Sequence, residues 1–178
     1  MNTEATRIAT ATLATADKLA KSYHKGDDAL FYRAKVVYAA TEAGQTIDAI
    51  ALATSKARVR LTHPDLSADM VDVLAGDSAY SVKRSDVDRL NRGYRLAVKS
   101  GVSLSVATVS AAWRAISRTG VSDELSTLER NTLALDRDER DAGFIAGCAE
   151  IVGIDNERKR AKRAAIADEK AANGNTDT

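Results

Sequence analysis

Apolar residues at Val102, Val106, Val109, Trp113 and Ile116 recur in steps of four, three, four and three. That spacing sets all five on one side of a helix. Ser103, Ser110, Arg114 and Ser117 fall on another side with a similar period. A solvated helix face in a highly charged chain ordinarily carries glutamate and lysine. This one carries hydroxyls and arginine, and no acid occurs between Asp88 and Asp123. Small donors with arginine, free of carboxylate, suit a surface that faces a phosphate backbone.

The same periodicity, punctuated by glycines and capping residues, divides the rest of the chain into helices. Residues 3–24 form a first helix with a thin stripe of Ile8, Leu13, Ala16, Leu19 and Ala20, stopped by Gly26. Asp27 or Asp28 caps a second, with Leu30, Phe31, Ala34, Val37 and Tyr38 inward, ending at Gly44. Thr46 caps a third segment, which Pro64 limits. Ser67 caps a short helix through Met70, Val71, Val73 and Leu74 that Gly76 closes. Ser85 caps another, with Val87, Leu90, Tyr94, Ala97 and Val98 inward. After Gly101 and the Trp113 helix, Ser122 caps a helix whose first turn holds Asp123 and Glu124, acids at its positive end. Residues 137–171 read as one long helix, or as two broken near Gly153. The first part, with Phe144, Ile145, Cys148, Ile151 and Val152, is apolar enough to be core or an oligomer contact. Residues 157–170 are charged on most sides and extend into solvent. Residues 171–178 read as a disordered tail. The expected fold is an all-α bundle of six to eight helices with a long charged C-terminal helix.

Composition agrees and adds one asymmetry. One proline and an aromatic content of 4% leave Ala, Val and Leu to do the packing. The single cysteine, Cys148, excludes an intramolecular disulfide and points to a cytoplasmic protein, most simply with a buried thiol. No apolar run is long enough to span a membrane. The N-terminal twenty residues lack the basic start and apolar core of a signal peptide. Net charge is +1 overall, yet residues 81–120 alone carry +6 and residues 121–150 carry −5. Screening confines electrostatics to about 8–10 Å, so the local +6 matters more than the neutral whole. The polar stripe lies inside this basic block, unless the acidic block folds back and neutralises it.

Residues 88–110 are similar to the centre of a helix-turn-helix. Ala97 stands where a small residue packs at the helix crossing, Gly101 where a left-handed turn is needed, and Val102-Ser103 where the second helix starts. The motif's buried anchor, six residues after the glycine, falls on Ala107, flanked by Val106 and Val109. The plainer alternative is two core helices joined by a glycine turn. Residues 46–61 offer a second candidate, with Ala51 at the crossing, Ser55 at the glycine position and Leu61 as anchor. Lys56, Arg58 and Arg60 then project toward DNA. The alternative there is one continuous helix with a basic solvated end. The order basic segment, Pro64-Asp65-Leu66, short helix is loosely similar to the region after the reading helix in plasmid partition proteins, without their diagnostic box.

Catalytic and metal-binding patterns are missing. His24 and His63 are not spaced for a shared metal site, and no glycine-rich phosphate loop or nucleophile elbow occurs. Asp136, Asp138, Glu139 and Asp141 alternate with Arg137 and Arg140, as at a solvated helix start. Aromatic platforms for single strands are also missing. The expectation is a non-enzyme without cofactor or metal. It binds double-stranded DNA as a small regulator or mobile-element accessory factor. Residues 1–120 form the DNA-binding domain and 121–170 a core or oligomerisation segment. Arg114 and Arg118 contact guanine or phosphate, with Ser103, Ser105, Ser110 and Ser117 on the same helix. Ser103 and Ser105 sit at its phosphate-favouring start, and Lys83, Arg84 and Lys99 flank it. Homo-oligomer contacts fall on Phe144, Ile145, Cys148 and Ile151. In outline the order of parts also resembles small terminase subunits of phage packaging. A helical interaction protein with no nucleic-acid role is the further alternative.

Overall fold

The structure is a computed structural model that describes residues 3–23, 28–116 and 122–173. Among the described residues every regular element is a helix. In chain order they are α1 (Thr3–Ser22), α2 (Asp28–Glu42), α3 (Ile47–Thr62), α4 (Ala68–Ala75), α5 (Arg84–Lys99), α6 (Val106–Ile116), α7 (Ser122–Ala134) and α8 (Arg140–Asn173). None of them is long and apolar enough to cross a membrane. The caps follow the sequence at two starts. Thr46 accepts from the Ala49 amide at 3.3 Å, and Ser67 accepts from the Met70 amide at 3.4 Å.

Three helices form the centre. α2, α5 and α6 each pack against the other two, and α8 covers a further side of α6. Ala34 and Val37 of α2, Val87 and Ala97 of α5, Val109, Ala112 and Ala115 of α6, and Phe144 and Cys148 of α8 are buried in one continuous core. α1 lies against α3 and α2, and α7 folds back on α8. A small satellite core of Val59, Val71 and Ala75 seats α4 on the end of α3.

The inward faces differ from the apolar pattern at several positions. On α1, Thr12 and Thr15 are buried, while Leu13 is 57% exposed. Thr12 tolerates burial because its hydroxyl donates to the Ile8 carbonyl at 2.9 Å. On α5, Leu96 is buried and Val98 is exposed. α5 begins one residue before Ser85, with Lys83 in the cap position. α8 runs unbroken past Gly153 and includes residues 171–173, expected to belong to a loose tail; residues 174–178 lie outside the described ones.

The third segment is a single helix. α3 continues through residues 54–55, where a turn was an alternative. Ser55 is buried; its hydroxyl donates to the Ala51 carbonyl at 3.0 Å and accepts from the Val82 amide at 2.9 Å. A serine that bonds inside its own helix and to a neighbouring strand of loop is not at a turn. Leu61, the expected buried anchor, is 46% exposed.

Candidate nucleic-acid interface

The turn between α5 and α6 is built as the glycine required. The Ser100 amide donates to the Leu96 carbonyl at 2.9 Å and the Gly101 amide to the Val98 carbonyl at 3.1 Å. Gly101 holds φ +64°, in the left-handed region that a side chain disfavours. Ala97, expected at the crossing of the helices, is fully buried. Gly93 lets α5 approach more closely still: a Cβ there meets the Trp113 backbone nitrogen and Cα at 3.3 Å.

The second helix starts later than the stripe implied. Ser103 and Leu104 lie in the connection, and α6 begins at Val106 behind Ser105. The Ser105 hydroxyl accepts from the Thr108 amide at 3.3 Å, while the Thr108 hydroxyl accepts from the Ser105 amide at 3.1 Å. The same Thr108 hydroxyl donates to the Ser103 carbonyl at 2.6 Å. The buried anchor is accordingly Val109, at 0% exposure, eight residues after Gly101. Ala107, six residues after it, is exposed. The connection is thus two residues longer than the motif's. Of the predicted stripe Val102, Val109 and Ile116 are buried, while Val106 is 40% exposed and Trp113 half-buried; Thr108, Ala111, Ala112 and Ala115 take further inward positions.

The start of α6 is less open to an anion than expected. The Ser103 amide is taken by the Asp141 carboxylate at 2.8 Å, and the Ser105 and Thr108 amides by each other's hydroxyls. Ser103 and Ser105 therefore serve the turn and the cap. Ser110 is half-buried and Arg114 exposed; with Val106 and Ala107 they form the open strip of α6. This strip floors a groove of ≈ 560 Å³ whose walls include Leu30 of α2 and Ile145 of α8. Ser117 and Arg118 lie outside the described residues.

The flanking cations are spread along α5. Lys83 and Arg84 stand at its start and Lys99 at its end, roughly 22 Å apart at about 1.5 Å per residue. Lys83 and Lys99 are exposed. Arg84 pairs with Asp48 of α3 at 2.9 Å. Arg92 and Arg95, which the sequence reading did not single out, share a face with Lys99; their spacing of three and four was the available signal. Arg95 pairs with Glu42 of α2 at 2.7 Å, and Arg92 lies 3.8 Å from Asp88. Exposed pairs of this kind contribute little to stability, but Asp48 and Glu42 offset two of the block's positive charges. The acidic block reaches the basic one at Asp141, whose carboxylate accepts from the Ser103 amide. Glu124 turns to Arg158 at 2.7 Å, and its carboxyl is held below the usual range by its own backbone amide first and by Arg158 next.

The basic residues of α3 are employed by the fold. Arg58 donates to the carbonyls of Tyr80 and Ala79, both at 2.8 Å, and lies over the Tyr23 ring at 4.9 Å. Burial raises the Tyr23 phenol above its ordinary value, against the pull of Arg33 and Arg58. Lys56 pairs with Asp72 of α4 at 2.7 Å. Arg60 is exposed one turn from Lys56, whereas Arg58 is turned toward the Tyr80 and Ala79 carbonyls. Residues 46–61 are thus not a second helix-turn-helix.

The oligomer residues separate in the same way. Phe144, Cys148 and Ile151 are buried in the chain's own core, because α8 lies across α6; Ile145 alone of the four reaches the surface. Burial in apolar surroundings pushes the Cys148 thiol up to about 12. No family model, no curated protein and no solved structure matches this chain.

Proposed function

We propose that the chain binds double-stranded DNA through the α5–α6 pair, as a small regulator or an accessory factor of a mobile element. One observation carries the reading: α2, α5 and α6 pack mutually, with Ala97 buried, Gly101 in the left-handed turn and Val109 as the buried anchor. This packing supports reading α5–α6 as a helix-turn-helix, a motif whose second helix meets the major groove. In this reading Ser110 and Arg114 face base edges or the adjoining phosphates. Lys83, Arg92 and Lys99 contact the backbone, which positions the protein without reading sequence. The test is selection of bound duplexes from a random pool. The wild-type chain enriches a motif, and Arg114→Ala broadens it at one position. Enrichment of no motif by the wild type removes the base-reading role.

A second reading has its own observation. Leu30 and Ile145 wall the groove over α6, and Val106, 40% exposed, lines it. Such a groove fits an apolar helix or peptide, as in a protein-interaction module. Salt separates the two, because burial of apolar surface is not weakened by the ionic strength that weakens phosphate contacts.

A further inference from the structure

The second half of α8 stands away from the fold. Asp155 is its last buried residue, at 3% exposure, and residues 156–169 are all exposed. At ~1.5 Å per residue that segment is about 21 Å long. A helix with no buried face is not shaped by packing, so its sequence answers to something else.

That sequence holds Arg158-Lys159-Arg160-Ala161-Lys162-Arg163, five cations in six residues. On a helix of 3.6 residues per turn, Lys159, Arg160, Lys162 and Arg163 share one side about 160° wide, while Ala161, Ala164 and Asp168 lie opposite. A self-sufficient solvated helix places acids four residues from its cations. Here Arg160 has Asn156 and Ala164 at that spacing, Lys162 has Arg158 and Ile166, and Arg163 has Lys159 and Ala167. Two of these neighbours are like charges, which weaken an isolated helix. Arg158 and Lys159 root the segment through Glu124 and Asp155, each pair at 2.7 Å. Arg160, Lys162 and Arg163 form no ion pair with a described residue. The arrangement costs helix stability until an anionic surface neutralises it.

We infer that this arm is a second phosphate-contacting element, laid along the backbone of duplex DNA and independent of base sequence. The inference rests on the DNA-binding reading of α5–α6. A bilayer surface is the poorer fit: a helix lying on lipid needs a continuous apolar face, and this one offers Ile166 as its sole large apolar side chain. Each phosphate contact adds about 0.9 to the slope of log K against log salt. Three lost contacts therefore flatten it by about 2 to 3 and lower affinity on the order of a hundredfold at about 0.1 M salt.

The experiment compares full-length wild type with an Arg160→Ala, Lys162→Ala, Arg163→Ala triple variant on labelled duplexes across a salt series. All three positions are exposed, so the thermal transition stays where it is and checks that the variant is folded. The expected result is that flattened slope, equal on a selected and a scrambled duplex, with Arg160→Lys plus Arg163→Lys behaving as wild type. An unchanged slope in the triple variant overturns the arm and leaves the α6 reading standing. A wild-type chain that binds no duplex overturns both. Phosphatidylserine–phosphatidylcholine vesicles are the remaining probe. Loss of vesicle binding with duplex affinity intact overturns the arm in favour of a membrane surface.

Discussion

The Arg89 guanidinium lies 3.3 Å from the centre of the Trp113 ring, and its Nε donates to the Trp113 carbonyl at 3.0 Å. One side chain of α5 thus holds both the ring and the backbone of α6. The contact fixes the crossing of the helices on which the proposed interface depends.

Arg89→Ala removes a stacked cation, worth about 0.5–2 kcal/mol, and a charge-assisted hydrogen bond of similar size. The expected loss of unfolding free energy is about 2 kcal/mol in urea titration. Arg89→Lys keeps the charge but not the planar stack, and recovers less than half.

Two glycines in helices separate close approach from mere tolerance. Gly93→Ala places a Cβ 3.3 Å from the Trp113 backbone, which cannot rotate away. It should destabilise by about 1 kcal/mol even after the helix-propensity gain of alanine. Gly153→Ala meets nothing within 4 Å and should stabilise by about 0.5–1 kcal/mol. Equal effects in a thermal melt contradict the α5–α6 packing described.

Arg58→Ala tests the assignment of α3 to the scaffold. Its guanidinium satisfies the Tyr80 and Ala79 carbonyls. Loss of those bonds should cost about 2 kcal/mol of stability, with duplex affinity per folded molecule unchanged. A variant of wild-type stability that loses DNA discrimination returns the reading role to residues 46–61.

Cys148 links stability to alkaline pH. Its folded thiol is raised to about 12 by burial, whereas an unfolded thiol ionises near ~8.5. Below the unfolded value both states keep the proton and nothing is gained or lost. Above it the unfolded state releases a proton that the folded state retains. Stability then falls by about 1.4 kcal/mol per pH unit until the folded thiol also ionises. Wild type minus Cys148→Ala, measured by urea unfolding from about pH 8 to pH 11, isolates this slope. The native thiol should also resist alkylation at neutral pH.

Helix number and the caps at Thr46 and Ser67 were legible because periodicity and capping chemistry are local. So was the Gly101 turn, where only a residue without a Cβ suits the left-handed conformation. Register on α6 was legible in part. Val109 and Ile116 are buried as their spacing implied, but Val106 and Trp113 are not, and Ala111, Ala112 and Ala115 are. Small residues carry a weak pattern signal, and their burial depends on α8 returning across α6 from far along the chain. The same long-range packing took Phe144 and Cys148 inside. The role of Arg58 was hidden because its partners are backbone carbonyls, which any sequence supplies. The arm of α8 was seen as charged on most sides; its one-sided array of cations emerges when residues 159–163 are placed on a single unbroken helix.

The most direct measurement is the salt dependence of duplex binding by the full-length chain. On the DNA-binding proposal the cations of α5 and α6 would supply about four to six phosphate contacts, and the arm would add to them. The account predicts a slope of log K against log salt of about −4 or steeper. It also predicts loss of base preference, at a cost on the order of 1–3 kcal/mol, in Arg114→Ala. A flat salt response, or no binding at low salt, contradicts the DNA-binding reading and leaves the apolar groove over α6 as the functional surface.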